Sequence, residues 1–120
     1  MSAPKPARLR RMAKARKIVL SVDADGIITV DPYYARFRVG DPIRWEMKEN
    51  SPWTIGFHDK RTPTDALVIH GHGNTMFEVH KAQKAGHYRY TPALYRESHP
   101  KLRERPGIFL DASCPEIIVD

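Results

Sequence analysis

The sequence predicts an all-β fold, an antiparallel Greek-key β-sandwich of seven or eight strands. Three observations predict it. Apolar and polar residues alternate with a period of two through much of residues 18–119, the pattern of strands with one face buried. Helical spacing of apolar residues is nearly absent from the same region. Gly and Pro, 7 and 10 in 120 residues, fall between the alternating runs, where short strands need turns.

Residues 1–17 form a basic N-terminal arm, with Lys5, Arg8, Arg10, Arg11, Lys14, Arg16 and Lys17 and no acid. The rest of the chain has 13 basic against 14 acidic residues, so the net charge of +6 belongs to the arm and not to the domain. A polyanion contact through Arg8, Arg10, Arg11, Lys14, Arg16 and Lys17, an anionic membrane surface, and a solvated tail all fit this composition. Met12 and the residues after it also read as a translation start, which would leave residues 1–11 outside the protein.

The domain is expected over residues 18–120. Ile18, Leu20 and Val22 alternate, Asp25-Gly26 signals a turn, and Ile27 to Val30 return. Tyr33, Ala35, Phe37 and Val39 alternate with Tyr34, Arg36 and Arg38. Gly40-Asp41-Pro42 breaks the run before Ile43, Trp45 and Met47. Glu49 to Pro52 turn the chain into Trp53, Ile55 and Phe57. Leu67 and Ile69 open a strand that ends in a turn at His70-Gly71-His72-Gly73-Asn74. Phe77 and Val79 read as the next strand, then Tyr88 and Tyr90. Residues 92–113 read as a long charged loop, and Ile117 and Val119 close the domain. Arg36, Arg38 and Arg44 fall on outward phases and would discourage casual edge pairing.

One Cys, Cys114, excludes an internal disulfide. No run approaches the roughly 20 apolar residues of a membrane span. Only Ile18-Val19-Leu20 follow the basic start, too short a run for a secretory signal, so a cytoplasmic location is expected.

Two stretches together resemble the cupredoxin family. One is Val39-Gly40-Asp41-Pro42-Ile43-Arg44-Trp45, running on to Ser51-Pro52-Trp53-Thr54-Ile55-Gly56-Phe57. The other is Gly86-His87-Tyr88-Arg89-Tyr90-Thr91-Pro92. The resemblance spans residues 18–120, with 92–113 outside it. It implies a sandwich that holds type 1 copper on two His, a Cys thiolate and a weak axial Met. Against that pattern Trp53 stands in place of the first ligand His and Pro92 in place of the Cys. Neither side chain donates to a metal, so the expected cofactor is none.

An alternative metal reading uses copper or zinc on a non-standard set drawn from His58, His70, His72 and His99 with Cys114. His70 and His72, two apart on a strand, share a face, and Cys114 precedes the last strand. Solvent-exposed imidazoles and a small buried thiol account for the same residues. No Gly-x-Ser-x-Gly elbow, His-Glu-x-x-His helix or phosphate-binding Gly-rich loop occurs, so no catalytic activity is expected.

The function expected is a non-catalytic binding module with an unidentified protein partner. Its contact surface would join Trp53 to residues of the 92–113 loop, namely Tyr95, Arg96, Lys101, Arg103, Arg105 and Phe109. A loop of this length is functional or a solvated insertion, and its aromatic and arginine content suits a partner contact.

Overall fold

The structure, a computed structural model, describes residues 17–96, 107–110 and 114–120. Its regular elements are strands and one short 3-10 turn. In chain order the strands are β1 (Ile18–Val22), β2 (Ile28–Asp31), β3 (Tyr34–Phe37), β4 (Pro42–Ile43), β5 (Trp45–Met47) and β6 (Pro52–Phe57). The 3-10 turn follows at His58–Lys60. Then come β7 (Val68–His72), β8 (Thr75–Met76), β9 (His80–Lys81), β10 (Gly86–Arg96), β11 (Gly107–Leu110) and β12 (Glu116–Val119).

A small sheet runs β2-β1-β5. A large one runs β3-β12-β10-β6-β7-β8 with β11 also on β10, and β4 pairs with β9. The two sheets meet through Trp45 of the small sheet. Its ring stands edge-on to Tyr90 and Phe57 of the large sheet, with centroids 5.7 and 6.2 Å away. Such aromatic pairs contribute roughly 0.5–1.5 kcal/mol beyond the area they bury. Ile18, Leu20, Ile43, Ile55, Leu94 and Ile117 fill the space around them with no exposed surface.

The turn at Asp25-Gly26 has a clear local cause. One Asp23 carboxylate oxygen accepts the backbone N–H of Asp25 at 2.8 Å and of Ile27 at 2.9 Å. Gly26, at φ 80, supplies the left-handed residue.

The all-β class therefore holds, with five differences from expectation. The pairing is mixed, because β1 runs parallel to β5 and β12 runs parallel to β3. Alternation reports which face is buried but not the direction of the neighbouring strand. Twelve strand segments occur among the described residues, above the seven or eight expected, since a single strand divides at Arg44 and several pairings last only two residues.

His70-Gly71-His72 is strand, not turn, and the reversal comes at Gly73 with φ 58. Val39 falls in the turn after β3 and is 54% exposed, and Phe77 and Val79 are not core either, at 71% and 42%. Met76 packs against the core in their place.

The fifth difference is the largest. Residues 92–113 are not all loop, because β10 continues to Arg96 and β11 folds back on it, pairing Ala93 with Leu110 and Arg96 with Gly107. Pro92 read as a strand end because it has no N–H to donate. The Tyr90 N–H, two residues back, donates to the Pro115 carbonyl on the β12 side, so the Pro92 nitrogen faces that side too. There β12 pairs with residues 86–89 and β11 with 93–96. Among the described residues Pro92 falls in the gap between those pairings, where no ladder bond is lost.

Candidate functional site

The start of β6 and the middle of β10 form one end of the sandwich. Trp53 is paired with Leu94, and Ile55 with Pro92. All four side chains point inward and are buried. The Trp53 indole N–H donates to the Gly73 carbonyl at 2.8 Å. The same carbonyl accepts the Met47 N–H from the small sheet at 2.9 Å. Opposite Trp53 on β7 lies Gly71. A Cβ there would overlap the benzene half of the indole, so the ring occupies the space a side chain would need. This end is an apolar plug locked by one shared carbonyl, and its four facing side chains offer no lone pair to a metal.

Trp53 was expected on a contact surface. At 2% exposed it is buried, because its strand phase turns it to the core. Arg96 is also committed elsewhere. Its Nε donates to Glu49 Oε2 at 2.8 Å, its Nη2 donates to Glu49 Oε1, and Ser51 Oγ donates to Oε2 at 2.8 Å. Hydrogen bonding to Glu49 raises the Arg96 pKa above its ordinary value against the opposing effect of partial burial. The pair ties the end of β10 to the turn between β5 and β6. Tyr95 remains open, at 39% exposed. Phe109 lies on β11 opposite Leu94, while Lys101, Arg103, Arg105 and His99 are outside the described residues. So are arm residues Arg8 to Arg16. Lys17 is the first arm residue described, and its ammonium sits 2.6 Å from Glu46.

The candidate metal residues are dispersed, with one exception. His70 and His72 project outward from β7, and His70 Nδ1 lies 3.3 Å from Thr54 Oγ1. His58, at the far end of β6, places Nε2 2.6 Å from Thr91 Oγ1 and 4.0 Å from Cys114 Sγ. Cys114 reaches it from a left-handed backbone, at φ 58. Among the described residues no three His, Cys, Asp or Glu side chains gather as a metal set.

Sequence reasoning missed an apolar patch beside β7. Leu67, Val68, Phe77 and Val79 are 43%, 47%, 71% and 42% exposed. Val68 and Phe77 wall a groove of about 260 Å³ floored by Ile69. The rim carries His80, whose Nδ1 lies 2.6 Å from Asp65 Oδ1 and whose Nε2 lies 3.4 Å from Glu78 Oε1. The signal available was the short spacing from Gly73 to Val79, too brief for a turn and a full core strand.

Compared with known proteins, the chain matches no family model and no curated protein sequence. Among solved structures it is similar to a novel purple cupredoxin from Nitrosopumilus maritimus. The identity is 19%, the TM-score 0.47, and the match covers 87% of this chain and 98% of that one. No helix among the described residues is long and apolar enough to cross a membrane.

Proposed function

We propose that this chain is a non-catalytic binding module on a cupredoxin-like scaffold, without a type 1 copper centre and acting in the cytoplasm. One observation carries the reading: the end where the motif resemblance would seat copper is packed by Trp53, Ile55, Pro92 and Leu94, with the indole jammed against Gly71. A scaffold that fills that position with apolar mass has given the space to stability, and burying one such large side chain contributes about 1.5–3 kcal/mol. A non-catalytic reading is supported by the surroundings of His58: its Nε2 faces the Thr91 hydroxyl and Cys114 Sγ, with no carboxylate bonded to it among the described residues. A nucleophile–base pair is ordinarily oriented by a third, acidic group.

A second reading is favoured by the 4.0 Å approach of His58 Nε2 to Cys114 Sγ. It is a metal site for copper or zinc on that pair, completed by residues not yet assigned. One experiment separates the two: elemental analysis and visible absorption of untagged protein offered copper and then zinc. The binding-module reading expects no stoichiometric metal and no thiolate-to-copper absorption. Near one metal per chain, lost in both Cys114→Ala and His58→Ala, would replace it with the second reading.

A further inference from the structure

The apolar groove beside β7 adjoins an opening in the sheet edge at Val68. The Leu67 carbonyl accepts the Phe57 N–H at 3.0 Å, so odd-numbered residues of this strand direct their backbone groups toward β6. The His70 carbonyl accepts the Phe77 N–H at 3.2 Å on the other side. Even-numbered residues therefore face away from β6. β8 covers Gly71 and His72, Phe77 takes the His70 carbonyl, and the Ala66 N–H and C=O are held by the Thr64 and Thr62 hydroxyls, so the opening is at Val68. Among the described residues no strand pairs with Val68 on that side, and its N–H and C=O are presented at the edge. Such groups are a template for another strand.

Three features thus coincide: the open Val68 backbone, an apolar groove between Val68 and Phe77, and the Asp65 and Glu78 carboxylates at the rim. Both carboxylate-bearing side chains are largely exposed, at 62% and 73%, so they remain open to a second cation beside His80. We propose that the groove beside β7 accepts a short extended peptide that pairs with the Val68 backbone as a strand would, its apolar side chains in the groove and its basic ones toward Asp65 and Glu78. Backbone bonds of this kind supply affinity, and alternate side-chain pockets supply specificity. The proposal deepens the binding-module reading and rests on it.

The probe is a short fluorescein-labelled synthetic peptide alternating lysine and valine, titrated against the full chain by anisotropy. Controls are the same peptide with N-methylated valines and one with glutamate for lysine. Two variants accompany it. Val68→Pro removes the outward N–H at an edge position that tolerates proline, and Phe77→Asp removes an exposed wall of the groove. Saturable binding is expected to weaken at least about tenfold, or roughly 1.4 kcal/mol, with the N-methylated peptide, with the glutamate peptide and in both variants. Loss in Phe77→Asp, but equal binding of the N-methylated peptide, would overturn strand addition and keep the groove as a contact surface. No saturable binding, or binding indifferent to Phe77→Asp, would overturn this surface altogether. A dimer of the peptide-free chain that Val68→Pro dissolves would assign the edge to a second copy and overturn the peptide proposal. None of these outcomes depends on metal uptake, which tests the binding-module reading by itself.

Discussion

At the residue scale, the pair Trp53 and Gly71 decides what the sandwich end can do. The indole N–H is satisfied by the Gly73 carbonyl, so the ring is buried without an unpaired donor, which would cost about 1–3 kcal/mol. Its flat face lies where a Gly71 side chain would begin. Gly71→Ala is expected to destabilise the fold by about 1–3 kcal/mol through overpacking. Trp53→Phe in the same chain should recover part of that loss, since contacting residues couple. Urea denaturation of the two single variants and the double variant checks this, and strict additivity would count against the contact. The inward phase of Trp53 was legible from its spacing to Ile55 and Phe57. Its hydrogen bond was not, because Gly73 lies 20 residues away and only the β7–β8 reversal brings its carbonyl there.

At the scale of elements, the longest strand, β10, is held at its far end by the Arg96–Glu49 pair. The side chains are 20% and 28% exposed, so the pair is neither fully solvated nor a buried ion pair. The two parallel guanidinium bonds make it stronger than an ordinary surface contact. Arg96→Met is expected to cost about 1–2 kcal/mol, measured as a shift in the urea midpoint. Glu49→Gln should cost less and leave Ser51 with an acceptor. An unchanged midpoint in Arg96→Met would mean that β11 alone fixes the end of β10. Charge composition drew Arg96 into a contact surface because sequence shows a charge but not its partner 47 positions away. The strand run past Pro92 was hidden for a related reason: proline ends a strand only if its missing N–H was needed, and that depends on what lies beside it.

At the scale of the molecule, strand alternation made the all-β class legible, and charge counting separated a basic arm from a nearly neutral domain. The mixed strand directions, the groove and the meeting of His58 with Cys114 come from topology, which joins segments 56 residues apart. Topology also gives the break at Pro92 a consequence in time. Two neighbours share one edge of β10 on either side of it, and they differ in how far the chain must travel to bring them. β11 returns through a local hairpin, while β12 is backed by β3 from the opposite end of the domain. Local and sub-global openings follow such divisions. Native-state hydrogen exchange should therefore find two populations within one strand. The amides of Tyr88 and Tyr90, on the β12 side, are expected to exchange only through global unfolding. Those of Leu94 and Arg96, on the β11 side, should open at lower free energy with their hairpin. A single opening energy along β10 would mean that Pro92 interrupts its bonding without dividing its cooperativity.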